Sequence, residues 1–242
     1  MLLKSQTPLP LYYQLEKDIE SKILQGLYKP GDKLPSEQAL MAQYGLSRIT
    51  VREAMKELAR RGIVEKRQGH GTYVLPPRIE EPLQRMLGFS DDMRQRGISP
   101  SSHVLSARVE PVEVAMAETL NVELGQEIIK LKRLRLGDGQ PMAVETSHIP
   151  LYLCPTLLQH DLNARSLYEL FEKEYGIALG WATQAIEPAA AGTARAEQLN
   201  ITKGALLLLI RRTTYRVDGT PVEHVVSYYR SDRYKFIVTL PR

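Results

Sequence analysis

Apolar residues recur at four-residue intervals near the start of the chain, which is the spacing of one face of an α-helix. The positions that follow this spacing are Leu11, Leu15, Ile19 and Ile23. They predict a helix over residues 9–26 that buries one side. Pro10 suits the first turn of this helix and Gly26 suits its end.

Two further helices are predicted over residues 36–44 and 47–61, because each segment opens on a serine suited to an N-cap. Gly45 suits the turn between them. Residues 63–67 and 72–75 alternate as two strands around the sequence Gln-Gly-His-Gly. Two helices joined at a glycine and followed by a glycine-tipped hairpin predict a winged helix-turn-helix, a DNA-reading module.

From Phe89 onward the pattern changes to the two-residue alternation of strands. Strands are predicted over residues 104–109, 127–136, 142–149, 177–189, 205–217, 222–229 and 236–240. Short helices fit at about 111–121, 166–175 and 193–200. The predicted fold class is therefore α+β in two domains, the second built on an antiparallel sheet.

Two of these strand pairs are joined by Asp-Gly-x-Pro, at residues 138–141 and 218–221. Asp-Gly favours the left-handed backbone of a tight hairpin turn. The two hairpins resemble a weak internal repeat. Any β-meander produces similar segments, so the sequence leaves open whether the repeat is a true duplication.

Pro76 and Pro77 end the first β-hairpin region and favour extended backbone. We therefore expect a DNA-binding domain over residues 1–75, a linker over 76–84 and a second domain over 85–242.

The composition is that of a soluble globular protein, with 43% hydrophobic and 25% charged residues among 242. No apolar run is long enough to span a bilayer, and the first residues lack the apolar core of a signal peptide. Cys154 is the single cysteine, so no intrachain disulfide is expected. These features favour a cytoplasmic protein without membrane contact, and the histidine spacing predicts no metal or other cofactor.

The excess positive charge lies in the N-terminal third of the chain. Residues 1–75 hold 12 Lys and Arg against 8 Asp and Glu, which leaves 20 of each for the remainder. A local basic surface suits a polyanionic partner better than the net charge of +4 suggests.

In a helix-turn-helix the second helix enters the major groove with its N-terminal residues at the base edges. Here Arg48 and Arg52 lie four residues apart on one face, with Thr50 at the same end. Arginine is the usual bidentate reader of guanine, and Ser47 with the helix-start amides can bind phosphate. The wing adds further candidates for backbone contact, namely Lys66, Arg67, Gly69, His70 and Gly71.

This constellation resembles the N-terminal domain of the GntR superfamily of regulators. The matching segments are Leu-Pro-Ser-Glu at 34–37, Ser-Arg-Ile-Thr-Val-Arg-Glu-Ala at 47–54 and Gly-His-Gly-Thr-Tyr-Val at 69–74. The resemblance implies a double-stranded DNA partner and adds Ser36 to the candidate contacts. Many relatives have arginine after the Ser-Glu pair, where this chain has Gln38, which can pair with adenine.

The remainder resembles the UTRA effector domain of the HutC subfamily, whose fold is related to chorismate lyase. The resemblance covers about residues 85–242 and rests on Leu120-Asn121-Val122 with Gly125, residues 131–135, residues 138–141, Glu145, Ser166-Leu167-Tyr168 and residues 229–234. It implies a domain that binds a small effector and dimerises.

Arg133 and Arg135 share one face of a strand, where two guanidinium groups favour an anion between them. Glu145 lies on the paired strand and suits a hydroxyl or amine. Further candidates around this expected pocket are Phe89, Ser90, Ser166, Tyr168, Tyr228 and Arg230. In amino-sugar regulators of the resembled subfamily the corresponding arginines, serine and tyrosines hold a sugar phosphate.

The sequence therefore predicts a repressor whose operator affinity changes with a small anionic metabolite. Glucosamine 6-phosphate and N-acetylglucosamine 6-phosphate are the first candidates, while urocanate, fatty acyl, phosphonate-related and other sugar derivatives stay open. A lyase-like enzyme is a remote alternative, because the segments carry no catalytic motif and a shared fold does not carry function. An effector-free architectural DNA binder is another. One recognition helix reads few bases, so we expect a homodimer on a palindromic operator.

Overall fold

The computed structural model describes residues 9–75, 79–82 and 86–240, and of residues 80–82 the backbone alone. The chain divides into two compact units, residues 1–79 and residues 80–242. Of the linker predicted over residues 76–84, positions 76–78 and 83–84 lie outside the described residues. Inside it, Ile79–Pro82 form a short strand.

The first unit contains three helices and a hairpin. The helices are α1 (Leu11–Leu24), α2 (Glu37–Tyr44) and α3 (Arg48–Arg60), and the strands are β1 (Val64–Arg67) and β2 (Gly71–Val74). Strands β1 and β2 pair antiparallel, from Val64 opposite Val74 to Arg67 opposite Gly71. The predicted winged helix-turn-helix elements are therefore present in the predicted order.

Serine caps and a left-handed glycine set both ends of α2 and the start of α3. The hydroxyl of Ser36 accepts a hydrogen bond from the amide of Ala39 at 3.1 Å, and that of Ser47 accepts one from Thr50 at 3.3 Å. Gly45 ends α2 with φ of 66°, a conformation that costs glycine little. The apolar faces of the three helices then meet in one core that includes Leu15, Ile19, Leu40, Val51 and Leu58.

The second unit is built on a six-stranded antiparallel sheet with strand order β4-β5-β6-β9-β8-β7. Its strands are β4 (Pro100–Pro111), β5 (Glu127–Gly137), β6 (Gln140–Pro150), β7 (Leu179–Ala190), β8 (Leu206–Arg216) and β9 (Pro221–Arg230). The helices are α4 (Phe89–Gln95), α5 (Val114–Leu120), α6 (Leu167–Lys173) and α7 (Thr193–Leu199). The strand β3 (Ile79–Pro82) forms a separate two-stranded sheet with β10 (Tyr234–Ile237).

Every strand and helix predicted from Val104 onward has a counterpart here, but α4 was not predicted. It is only seven residues long, and it follows a stretch in which prolines and mixed charges obscure the period. Its first turn carries Asp91 and Asp92 after Gly88. Acidic residues there favour the positive end of a helix and were the available signal.

The sheet order is symmetric about its centre, because β4-β5-β6 on one side matches β7-β8-β9 on the other. Helices α5 and α7 hold equivalent places between the first two strands of each half. Both end on an asparagine, Asn121 and Asn200, with φ of 50°. Asparagine tolerates this left-handed conformation better than most residues. The weak repeat seen in the two hairpins thus extends over the six strands of this sheet and over helices α5 and α7.

The symmetry also relates particular residues. Arg133 on β5 lies opposite Glu145 on β6, and Arg212 on β8 lies opposite Val225 on β9. Arg133 and Arg212 therefore hold equivalent positions in the two halves, each on the second strand from an edge of the sheet. No helix of the described segments combines the length and the apolar character that a bilayer crossing needs.

Candidate functional site

The exposed face of α3 carries the arginines predicted to contact DNA. Val51, Ala54, Met55 and Leu58 are buried against α1 and α2. Arg48 and Arg52 are exposed, and Ser47 caps the helix beside them. Thr50 is half-buried, and its hydroxyl lies 2.9 Å from that of Ser47. The helix start therefore presents two guanidinium groups together with its own amide groups, as a major-groove reader requires.

The wing lies beside this face. A groove between the wing and the start of α2 contains seven of the predicted DNA contacts, Ser36, Gln38, Arg48, Lys66, Gly69, His70 and Gly71. Arg52 lies in the neighbouring groove, which Lys66 also lines. Arg67 bonds Glu65 at 2.9 Å and lies 4.6 Å over the ring of Tyr73. The structure thus places most of these candidates along two adjoining grooves.

Lys33 is a further cation in this surface that no sequence motif indicated. Its backbone forms an antiparallel bridge with Tyr73 of β2, and a Cβ built on Gly71 would meet its Cε at 2.6 Å. Gly71 has φ of 117°, so glycine is required there on conformational grounds as well. The turn after Pro30 places Lys33 beside the wing. The local pattern of hydrophobic and polar residues does not predict this contact.

The second candidate site is a pocket on one face of the six-stranded sheet. Its floor contains a row of directly paired residues, Arg133, Glu145, Ser227 and Ile210, one from each of β5, β6, β9 and β8. Segments before α4 and at the start of α6 close it, and the lining includes Gly88, Phe89, Ser166, Leu167 and Tyr168. Arg135, Arg212, Glu223, Val225 and Tyr229 complete the lining.

Arg133 and Glu145 form a buried ion pair at the centre of this floor. Arg133 donates from Nε at 3.1 Å and from Nη2 at 2.6 Å to the same carboxylate oxygen of Glu145. Burial acts to raise the pKa of Glu145, but the charges of Arg135 and Arg133 and the hydrogen bond from Arg133 lower it overall. The Glu145 carboxyl is therefore held in its ionised form.

Arg135 is only 3% exposed and lies against α4. Its Nη1 donates to Ser102 at 2.7 Å, its Nη2 donates to Ser90 at 3.2 Å, and its guanidinium stacks 4.4 Å over the ring of Phe89. Burial, with the neighbouring charge of Arg133, lowers the pKa of Arg135 to about 10. Its Nε has no hydrogen-bond partner among the described residues, although Glu145 lies 3.7 Å away.

Ser166 and Tyr168 reach the pocket from the start of α6. Ser166 is buried and caps the helix by accepting from the amide of Glu169 at 3.4 Å. The hydroxyl of Tyr168 lies 2.8 Å from that of Thr214, and its ring packs over Gly88, where a Cβ would meet it at 3.4 Å. Phe89, Ser166 and Tyr168 thus join Arg133, Arg135 and Glu145 around one cavity. Ser90 contacts it through Arg135.

Tyr228 and Arg230 do not line this cavity, so their placement in the pocket was wrong. Side chains alternate along a strand, and on β9 it is Glu223, Val225, Ser227 and Tyr229 that face the pocket. Tyr228 faces the opposite side of the sheet, where Arg195 lies 3.7 Å over its ring. Arg230 pairs with Asp232 at 2.6 Å.

Arg212, Glu223 and Tyr229 were missed as pocket residues. Arg212 donates to the backbone oxygen of Leu87 at 2.9 Å and to Gln184 at 2.6 Å. Its equivalence to Arg133 in the repeat was the signal that would have identified it. Burial, and to a lesser extent the charge of Glu145, raises the pKa of Glu223. Three arginines therefore face two carboxyl groups, one of which resists ionisation, and the pocket favours an anion.

Both units match known families. The family described as bacterial regulatory proteins of the gntR family matches residues 11–74, and the UTRA domain matches residues 95–235. The chain is 38% identical over 242 residues to the HTH-type transcriptional repressor NagR of Bacillus subtilis (strain 168), covering 100% of this chain and 99% of that protein.

Two further relatives extend the comparison. The mannosyl-D-glycerate transport/metabolism system repressor MngR of Escherichia coli (strain K12) is 31% identical over 233 residues, covering 96% of this chain and 97% of that protein. The crystal structure of PhnF from Mycobacterium smegmatis aligns with a TM-score of 0.68 at 26% identity, covering 96% of this chain and 99% of that chain.

The similar proteins are named as regulators and repressors of transcription, not as enzymes. The predicted family, the two-domain α+β fold and the regulatory function are confirmed. The exposed arginine face of α3 and a separate anion-favouring pocket fit that role. The chain belongs to the GntR family of bacterial regulatory proteins and is a DNA-binding transcriptional regulator with a UTRA domain as its second unit.

Proposed function

We propose that the pocket binds an amino-sugar phosphate, glucosamine 6-phosphate or N-acetylglucosamine 6-phosphate, and that this ligand changes operator affinity. The observation that carries the proposal is Arg135, a buried guanidinium whose Nε lacks a hydrogen-bond acceptor among the described residues. Leaving a buried charged donor without an acceptor is costly, and a phosphate oxygen supplies the acceptor. Arg133 and Arg212 place two further guanidinium groups around the same cavity.

The carboxyl groups of the pocket support a sugar rather than a simple anion. Glu145 and Glu223 line the same cavity as the arginines, and Ser166 and Ser227 add hydroxyl groups. Such groups accept hydrogen bonds from sugar hydroxyls or from an amine. The relative MngR is named for mannosyl-D-glycerate, a sugar joined to a carboxylate. That name supports anionic sugar derivatives as the ligand class, and a charged lining disfavours a fatty acyl chain.

Ligand entry requires the pocket to open. The cavity holds about 50 Å³, which is room for a few water molecules at roughly 10–15 Å³ each. Arg135 holds Phe89 and Ser90, and Arg212 holds the backbone of Leu87. A phosphate that takes the donors of Arg135 and Arg212 weakens their hold on residues 87–90. This segment is connected along the chain to the DNA-binding unit. In our proposal, its displacement is how ligand binding changes operator affinity.

Operator recognition in this proposal is dimeric. One α3 reaches few base pairs, so two chains joined through their second units read a palindromic operator. Half-sites then lie about 10 bp apart, or a multiple of that spacing. The ligand shifts the equilibrium between dimers that match this spacing and dimers that do not. By linkage, operator DNA changes ligand affinity by the same factor.

The test is a gel shift at fixed salt on DNA flanking the gene of this protein, with and without each phosphosugar. Glucose 6-phosphate, unphosphorylated N-acetylglucosamine and inorganic phosphate serve as controls. We expect one amino-sugar phosphate to change the operator affinity and to raise the thermal midpoint of the protein, and the controls to do neither. An unchanged shift and midpoint with both amino-sugar phosphates would refute the ligand while leaving the DNA reader intact.

A further inference from the structure

Ile49 is an aliphatic residue at the centre of the DNA-reading face, and its side chain is 82% exposed. It is the second residue of α3. Leu58 follows nine positions later and is fully buried. At about 100° per residue, nine positions place Ile49 on the opposite side of the helix from Leu58. Ile49 therefore points directly away from the core.

The neighbours of Ile49 are charged. Arg52, Lys56 and Lys66 line the same groove, and Arg48 precedes Ile49 in the helix. The groove also contains Glu37, 3.1 Å from Lys66, and Glu53, 3.6 Å from Lys56. Cations in this arrangement bind the phosphates on either side of a groove, or guanine edges within it. When these cations contact DNA, the face of α3 turns toward the base edges. Ile49, an apolar side chain, lies at the middle of that face. An apolar partner is disfavoured by the surrounding charge, so the occupant of this face is DNA.

Major-groove base edges carry one apolar group, the C5-methyl of thymine. Resting on the dimeric operator recognition proposed above, we propose that Ile49 reads a thymine in each operator half-site by packing against this methyl group. Arginine contacts select guanine beside it, while Ile49 rejects cytosine, which presents an amino group and no methyl at the corresponding edge. Because the side chain is exposed in the free protein, its burial occurs only when the helix enters the groove.

Replacement of thymine by deoxyuridine tests this contact, because it removes the methyl group and keeps base pairing. The full-length protein first enriches its preferred sequence from a random double-stranded library, and each thymine of that sequence is then replaced in turn. One buried methyl group changes affinity by about fourfold. We expect a loss of this size at one thymine per half-site, and a loss of about sixteenfold when both are replaced.

Ile49→Ala provides the second arm. This variant should bind the enriched sequence more weakly and should bind the deoxyuridine and thymine versions equally. Leu24→Ala is the matched control, since Leu24 is 83% exposed at the end of α1 and lines neither of the two grooves beside the recognition helix. Leu24→Ala should retain the full sensitivity to deoxyuridine, and both variants should keep the thermal midpoint of the parent.

Two results would overturn the proposal. One is equal affinity of the parent protein for every deoxyuridine version, which would mean that no thymine methyl is read. The other is a deoxyuridine effect that persists unchanged in Ile49→Ala, which would assign the methyl contact to a different side chain.

Discussion

The two units both use closely spaced arginines, but in opposite environments. Arg48 and Arg52 lie one helical turn apart on an exposed face, and the helix alone sets their spacing. Arg133 and Arg135 lie two residues apart on a strand and are 2% and 3% exposed. Their positions depend on neighbouring strands, on α4 and on a buried carboxylate. Exposed arginines can therefore change without cost to the fold, and buried ones cannot.

The largest expected effect is on stability, from Arg133→Ala. This change removes the hydrogen-bonded partner of Glu145 inside the protein, and breaking a buried pair on one side costs about 3–5 kcal/mol. We expect that loss in the free energy of unfolding, measured by denaturant titration of the second unit. Arg108→Ala, an exposed arginine of the same sheet, should change it by less than about 0.5 kcal/mol.

A double-mutant cycle separates the ion pair from simple loss of packing. Adding Glu145→Gln to Arg133→Ala removes the buried charge that the single change leaves behind. The double variant should then lose about 0.5–3 kcal/mol less than the sum of the two single variants. Strict additivity would show that Arg133 stabilises the sheet by packing alone.

Arg52→Ala should show the reverse pattern. Removal of one base-reading arginine costs about 1–3 kcal/mol of operator affinity, roughly 5- to 150-fold. The free energy of unfolding should stay within about 0.5 kcal/mol of the parent, because Arg52 is exposed. Fluorescence anisotropy on operator DNA and denaturant titration supply the two readouts. A large loss of stability in this variant would contradict the contrast between the two sites.

The sequence alone predicted much more of the first unit than of the second. Ser36, Gly45 and Ser47 act within a few residues of their positions, so local chemistry predicts the helix ends and hence the direction of Arg48 and Arg52. Lys33 was not predicted as part of this surface, because a turn in the chain brings it to the wing. For the pocket, alternation placed Arg133 and Arg135 on one face, but the segments that close the cavity are distant in sequence.

The alternation of side chains along a strand explains the errors in the predicted pocket. A shift of one residue along a strand moves a side chain to the other face of the sheet, so Tyr228 and Tyr229 differ completely in surroundings although both are tyrosines. Arg212 could have been predicted as a pocket residue, because strand pairing gives it the position in its half that Arg133 has in the other. The Asp-Gly turns alone align Arg133 with Thr213, so the hairpins indicated a repeat but not this residue. Asn121 and Asn200 each precede the arginine of their half by 12 residues, and alignment on them identifies Arg212.

The pH dependence of stability should also differ between exposed and buried carboxylates. Glu145 has a lowered pKa in the fold, as the charges of Arg135 and Arg133 outweigh the effect of burial. Its contribution is thus present above the unfolded value of about 4.5 and is lost as the pH falls below it. In Glu145→Gln we expect a shallower fall of the unfolding free energy on acidification.

Glu57→Gln is the comparison at the protein surface for this pH effect, because Glu57 is half-buried and its partner Arg60 is exposed. The hydrogen bond from Arg60 lowers the pKa of Glu57, so the sign of its contribution is the same. About 1 M salt screens charges beyond roughly 3 Å in water, while a buried pair is screened much less. The difference between parent and Glu57→Gln should therefore shrink at high salt, and that between parent and Glu145→Gln should persist. Equal salt sensitivity would refute the contrast.

The smallest expected effects come from two serine caps, Ser47 on α3 and Ser166 on α6, each of which accepts a hydrogen bond from a helix amide. Loss of such a cap costs about 1 kcal/mol in either unit. The functional outcome should differ, because Ser47→Ala should weaken operator binding and leave the ligand response intact. Ser166→Ala should leave operator binding near the parent value and weaken the response to ligand. Loss of both operator binding and the ligand response in either variant would mean that the cap acts through global stability. Both functions are therefore measured well below the thermal midpoint, where the variants remain folded.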